Sequence, residues 1–276
     1  MTALRIGITG IAGRMGKALV RETLGDEGLV LAGGSARAGH PLVGRPVPHP
    51  EGGAVRETKV FADPAALAAV SEVIIDFTHP AALAAHVAAA EQAGAALVVG
   101  TTGLEAAHLA ALRQAARRIA IVHSANMSLG VNLIASLVRE AAARLGPDWD
   151  IEILEMHHRH KVDAPSGTAL MLGRAAAAGR GVALEEVMVA ARGGESGARA
   201  PGAIGFAVLR GGSVAGEHSV IFAGEEERLE LSHKATSRSI FARGALAAAR
   251  WLKGRPPGLY SMADVLEDRM DAKTKA

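Results

Sequence analysis

Short apolar runs alternate with stretches of helical periodicity through the first half of the chain. Leu4–Thr9 is largely apolar and ends against a glycine, and Arg14–Leu24 then places its hydrophobic residues at helical spacing. Leu29–Gly33 is a second short run. Glu72–Phe77, Ala95–Val99 and Ile119–Val122 follow, separated by alanine-rich helical stretches at Pro80–Ala93 and Leu104–Arg117. Strands buried on both faces read as continuous apolar runs, so this half predicts a doubly wound parallel α/β sheet. Gly39–Lys59 breaks the rhythm. Rich in Gly, Pro and His, it predicts a loop with a strand at its end.

The pattern changes after Asn126. Ser128–Leu145 predicts a long helix and Asp150–Met156 a strand. Ala203–Leu209, Glu217–Phe222 and Arg228–His233 are strand-like runs separated by glycine-containing turns, and Ser237–Leu252 turns helical again. These elements predict a second α+β domain with a mixed or antiparallel sheet. The expected division is residues 1–126 for the first domain, with 238–276 packing back on it, and 127–237 for the second.

Of the 276 residues, 49% are apolar and 21% charged, enough for a real core and unlike a disordered chain. Lys and Arg (30) nearly balance Asp and Glu (28), and only 3% of residues are aromatic, so no nucleic-acid partner is expected. The lack of cysteine excludes disulfides, thiolate metal sites and cysteine nucleophiles, phosphorylating aldehyde dehydrogenases included. It also fits a reducing compartment. No apolar run approaches the roughly 18 residues of a membrane span. With no signal peptide ahead of the first strand, a cytoplasmic protein without membrane contact is expected.

Gly10-Ile11-Ala12-Gly13-Arg14-Met15-Gly16 lies between the first predicted strand and helix. Glycines there let the backbone turn tightly and approach a pyrophosphate, whose charge meets the N–H groups at the helix start. The first glycine sits one residue early for G-x-G-x-x-G. The flanking strand and helix still favour dinucleotide binding in a Rossmann-like domain over a plain tight turn. Roughly 20 residues on, where an acid would grip the ribose of NAD, stands Gly33-Gly34-Ser35-Ala36-Arg37. Arg37, aided by Ser35, is expected to pair with a 2′-phosphate, so NADPH should serve at least as well as NADH. A solvated surface arginine is the competing reading. Gly100-Thr101-Thr102-Gly103 and Ser124-Ala125-Asn126-Met127 each follow a predicted strand at its carboxyl end, where small polar groups can bond a ribose or carboxamide. Helix capping uses the same residue types, but two segments in equivalent places favour cofactor contact.

The densest chemistry is the run Glu155-Met156-His157-His158-Arg159-His160-Lys161-Val162-Asp163-Ala164-Pro165-Ser166-Gly167-Thr168. HEXXH spacing is absent, and adjacent histidines do not easily turn to one ion, so no metal is expected. Ser166 is a natural N-cap. The N–H groups of Gly167 and Thr168, behind a cationic run, make a pocket for a carboxylate. A histidine there exchanges a proton near neutral pH, and a lysine binds an anion or delivers a proton. These residues describe an enzyme reducing a small anionic substrate. Another reductase of a carboxylated imine or carbonyl, or a nucleotide sensor without catalysis, are the alternatives.

The run E-x-H-H-R-H-K-x-D-A-P-S-G-T-A resembles the signature of the dihydrodipicolinate reductase family, the 4-hydroxy-tetrahydrodipicolinate reductases. GIAGRMG at Gly10–Gly16, DFTHP at Asp76–Pro80, GTTG at Gly100–Gly103, ANMSLGVN at Ala125–Asn132 and PGAIGF at Pro201–Phe206 are similar to family segments, in family order. The resemblance extends over nearly the whole chain. It implies reduction of 4-hydroxy-tetrahydrodipicolinate to tetrahydrodipicolinate with NADPH or NADH, in the diaminopimelate route to lysine. It further implies a homotetramer built through the sheets of the second domain.

The resemblance also implies roles for matching residues. His157 would be the acid/base that handles protons as hydride arrives, and Lys161 a proton donor and cationic partner of the substrate. His158, with backbone groups of Gly167 and Thr168, would hold two carboxylates. Gly10, Ile11, Ala12, Gly13, Arg14 and Met15 would wrap the pyrophosphate. Gly100, Thr101 and Thr102, with Ser124, Ala125, Asn126 and Met127, would contact the nicotinamide half. Two positions depart from the family pattern. Ala36 stands where many relatives carry an acid, which favours NADPH, and Met127 where relatives often have an aromatic.

Overall fold

The structure, a computed structural model, describes residues 2–190 and 192–274. In chain order its elements are β1 (Leu4–Ile8), α1 (Arg14–Leu24), β2 (Leu29–Ser35), β3 (Val60–Phe61), α2 (Pro64–Ala68), β4 (Val73–Asp76), α3 (Pro80–Ala93), β5 (Ala96–Val99), α4 (Ala106–Ala115) and β6 (Ala120–His123). There follow α5 (Leu129–Leu145), β7 (Asp150–His157), α6 (Gly167–Gly179), α7 (Leu184–Val187), β8 (Met188–Val189), β9 (Ile204–Arg210), β10 (Glu217–Ala223) and β11 (Arg228–Lys234). The chain closes with α8 (Ser239–Leu252), β12 (Gly258–Tyr260) and α9 (Met262–Thr274). It divides into two units: one runs to Ser128 and resumes at Ser239, and the other is Leu129–Arg238.

The first unit is a seven-stranded sheet in the order β12-β6-β5-β4-β1-β2-β3. Each pairing is parallel. The topology switches at β1, which lies between β2 and β4, and this is where an open α/β sheet binds ligands. Local chemistry sets the helix ends. Pro80 opens α3 at its first position, His79 Nδ1 accepts from Ala81 N, and Gly94 closes the helix in the left-handed conformation at φ +68°. Ile74, Leu97, Val99 and Ile121 pack with Leu83, Val87 and Leu112 of α3 and α4. Each such side chain contributes about 1.5–3 kcal/mol on full burial.

The second unit is a five-stranded mixed sheet, β11-β10-β7-β9-β8. The β10–β11 and β10–β7 pairs are antiparallel, whereas β7–β9 and β8–β9 are parallel. Residues alternate across β7, so Ile151, Ile153, Glu155 and His157 are buried while Asp150, Glu152, Leu154 and Met156 are only half-buried. Ile151 and Ile153 join Phe206, Val220 and Phe222 in a core with Val138 of α5 and Leu172 of α6. Five elements were not anticipated from sequence: α2, α7, β8, β12 and α9. The strands among them have two or three residues, too few to show a period.

Candidate active site

In the first unit, the glycine turn links β1 to α1. Gly10 has φ +63°, where side chains are strained. Gly13 is the N-cap residue of α1, and among the described residues no side-chain cap hydrogen bond is found at that positive end. A Cβ on Gly16 would stand 2.5 Å from the Gly10 oxygen and 2.6 Å from the Ile11 oxygen. The turn is further fixed by Ile11 N donating to Ser35 O at 3.0 Å and Gly13 N to Gly10 O at 2.9 Å. An uncapped helix behind a turn this tight fits a pyrophosphate. Gly13 and Arg14 are exposed, Ala12 and Met15 half-buried, and Ile11 is buried against Gly34. Ser35 is buried at the end of β2 and Arg37 is exposed beyond it, so Arg37 is the more accessible of the two groups expected to meet a 2′-phosphate.

A network missed at the level of sequence ties the ends of β4 and β5. The Asp76 side chain is wholly buried. Its Oδ1 accepts from Thr78 N (2.8 Å), Thr78 Oγ1 (2.6 Å) and Thr101 Oγ1 (3.0 Å), and its Oδ2 meets His86 Nδ1 at 2.7 Å. Burial works to raise its pKa, but His86 and the Thr78 hydrogen bonds overcome that and hold it below the usual carboxylate value. The Thr101 hydroxyl therefore fastens the loop from within, while Thr102 is exposed. Past β6, Ser124 Oγ donates to Asn126 O at 2.7 Å and Asn126 Oδ1 accepts from Ser128 N at 2.9 Å. Ala125 is exposed. Met127 is buried, and its carbonyl lies where a side chain on Gly244 would stand. An aspartate ending an otherwise apolar strand was the available signal for this network.

The second unit gathers the charged cluster around one carboxylate. Sheet register sets His157 opposite Arg210 and His218 opposite Glu155. The Nδ1 of His157 lies 2.5 Å from Glu155 Oε2. Arg210 grips the same carboxylate with both terminal nitrogens, at 2.8 and 2.9 Å, and donates to Asp163 O at 2.7 Å. Asp163 in turn receives Lys161 Nζ at 2.8 Å. His157 and Lys161 thus end one continuous polar chain through Glu155, Arg210 and Asp163. The backbone of the loop is pinned by His158 N to Val214 O at 2.8 Å, and His158 Nε2 faces Arg238 at 3.5 Å. Ser166 caps α6 by accepting from Ala169 N at 3.1 Å, and its hydroxyl meets His218 Nε2 at 2.9 Å. Gly167 is exposed, and a Cβ there would meet nothing within 4 Å, while Thr168 beside it is half-buried. Arg210 and His218 were not singled out by sequence, since each is more than fifty positions from its partner here.

Electrostatics in this unit follow from burial and pairing. Burial works to raise the Glu155 pKa, but Arg210, His157 and the Ser166 N–H hold it below the ordinary carboxylate value. Lys161 likewise lowers Asp163. His158 is lowered by desolvation and then by Arg238 and the neighbouring cations. Burial, reinforced by His157, pushes His218 down to about 4. With a folded value below the unfolded 6.5, the unfolded chain takes the proton first as pH falls. The stability this imidazole confers is complete above about pH 6.5 and is lost as pH drops toward 4. The thermal midpoint should fall across that window, and less steeply in His218→Gln. Equal slopes in the two proteins would place the acid sensitivity elsewhere.

Among the described residues, no group of three or more His, Asp or Glu is arranged to hold a metal, and no helix is long and apolar enough to cross a membrane. A parallel sheet with an open-ended glycine turn, joined in one chain to a unit bearing a His–Lys–Arg cluster, defines a nicotinamide-dependent oxidoreductase. The sequence pattern described as "Dihydrodipicolinate reductase, N-terminus" matches residues 4–127, and its C-terminal counterpart matches 130–266. The chain belongs to the dihydrodipicolinate reductase family. It is 55% identical to the 4-hydroxy-tetrahydrodipicolinate reductase of Parvibaculum lavamentivorans, over 96% of this chain and 99% of that one. The enzyme of the same name from Methylocella silvestris is 53% identical over 96% and 98%. In fold the chain is similar to a dipicolinate-bound dihydrodipicolinate reductase from Paenisporosarcina sp. TG-14. The TM-score is 0.76 at 23% identity, covering 94% of this chain and 98% of that one.

Proposed function

We infer that this chain reduces 4-hydroxy-tetrahydrodipicolinate to tetrahydrodipicolinate with a nicotinamide dinucleotide, in the diaminopimelate route to lysine. The observation that carries the reading is the polar chain His157–Glu155–Arg210–Asp163–Lys161, in which Arg210 of β9 joins residues of the family's signature run. The bound dinucleotide supplies the hydride. Gly10–Met15 hold its pyrophosphate, and the loops at Gly100–Thr102 and Ser124–Met127 hold the nicotinamide half. His158 and the start of α6 at Gly167 and Thr168 bind the two substrate carboxylates. His157 and Lys161 handle protons as negative charge builds on the substrate. General acid–base catalysis of this kind is worth about 10²–10⁴-fold.

Arg37 favours NADPH, because no acid at Ala36 repels a 2′-phosphate and the guanidinium is exposed to meet one. An assay following nicotinamide absorbance with purified protein and substrate tests the activity and this preference together. Turnover with NADPH is expected, and Arg37→Ala should raise KM for NADPH while leaving that for NADH near its starting value. Absence of turnover with either nucleotide would refute the activity; an unchanged NADPH KM would remove Arg37 from cofactor selection. The sheet face bearing Leu154, Met156, Leu209 and Ile221, each half-buried or exposed, supports a homotetramer assembled through this sheet.

A further inference from the structure

We propose that Glu155 is a positioning residue for this reaction: it accepts the Nδ1 proton of His157 and so makes Nε2 the nitrogen offered to the substrate. The inference rests on the reading of His157 as the acid/base. A neutral imidazole has one donor and one acceptor nitrogen, and its neighbours decide which is which. An ionised carboxylate can only accept, so the nitrogen 2.5 Å from it must carry the hydrogen.

The carboxylate cannot turn away. Its side chain has no solvent exposure, and four donors converge on its two oxygens. Oε2 takes His157 Nδ1 and Arg210 Nη1, and Oε1 takes Arg210 Nη2 at 2.9 Å and Ser166 N at 3.1 Å. Arg210 is itself anchored by the carbonyls of Leu209 and Asp163, both at 2.7 Å. Glu155 comes from the same strand as the imidazole, Arg210 from β9 and His218 from β10, and Lys161 joins this network through Asp163 in the loop that follows β7. His218 packs edge to face with His157 at 5.1 Å, but its Nε2 is engaged by Ser166 and does not compete for Glu155.

The far side of the ring is left open by a glycine. Gly216 has φ +151°, and a Cβ on it would stand 3.0 Å from His157 Nε2. One edge of the imidazole is therefore clamped and the other is kept clear of side-chain bulk. The arrangement follows the logic of an orienting carboxylate behind a catalytic histidine. Loss of a negative charge at that position changes the tautomer and weakens stabilisation of the imidazolium.

The experiment is 15N NMR of histidine-labelled full-length protein without substrate, with His157 assigned from the signal lost in His157→Ala. In wild type, neutral His157 should carry its proton on Nδ1. In Glu155→Gln it should become a mixture of tautomers, with kcat reduced about 10²-fold or more and KM for NADPH nearly unchanged. Glu155→Asp, which keeps the charge on a shorter arm, should recover part of both. A wild-type proton on Nε2 would overturn the proposal, even were the variants to unfold. So would an unaltered tautomer and kcat in Glu155→Gln. Near-normal turnover in His157→Ala with the expected tautomers would overturn the acid/base reading and leave the tautomer assignment standing.

Discussion

Alanine at position 157 is expected to lower kcat/KM by about 10²–10⁴-fold while leaving NADPH affinity close to wild type. His157 belongs to the second unit, whereas the glycine turn proposed to hold the dinucleotide belongs to the first. Lys161→Ala should produce a similar loss, and the two effects should not multiply. Both side chains end the same polar chain through Glu155, Arg210 and Asp163, so removing one disturbs the setting of the other. Steady-state kinetics on both single variants and the double variant provide the check, with NADPH titration by fluorescence as the control. Turnover within a few-fold of wild type in either single variant would take that residue out of the chemistry.

Gly16→Ala is expected to weaken NADPH binding by at least about tenfold and to cost about 1–3 kcal/mol of stability. Its Cβ would stand 2.5 Å from one backbone oxygen of the turn and 2.6 Å from another, and backbone cannot step aside as a flexible side chain can. The turn or the first helix must shift. Either movement pulls the uncapped N–H groups away from a pyrophosphate. Gly25→Ala at the other end of α1 is the control, because a Cβ there meets nothing closer than 3.5 Å. Calorimetric titration of NADPH with the two variants measures the contrast. Wild-type affinity in Gly16→Ala would remove the turn from dinucleotide binding.

How much of this was legible in the sequence depended on range. The apolar runs at Leu4–Thr9 and Glu72–Phe77 lie over β1 and β4 because buried parallel strands have no polar alternation to disguise them. The helix at Pro80–Ala93 was readable to the residue, since proline and glycine punctuate it. By contrast, α2 occupies five residues with an ordinary Asp63 cap and offers too little pattern. The same holds for the site. His157 and Lys161 stand together in one run, but Arg210 and His218 are brought to them by register between strands far apart in the chain. Nor did the threonine at position 101 reveal that its hydroxyl would face inward, because that follows from a buried aspartate on the neighbouring strand.

The first unit is not contiguous, and this has a bearing on biogenesis. Ala242, Ala245, Ala248, Ala249 and Leu252 of α8 are buried, and β12 completes the sheet beside β6. All of these residues follow Leu129–Arg238 in the chain and leave the ribosome after it. The inserted unit therefore has all its residues outside the ribosome before the amino-terminal unit does, and the latter must wait for α8 and β12. A nascent chain stalled before Ser239 should expose the apolar sheet surface meant for α8, and that is the stage at which a chaperone would have most to hold.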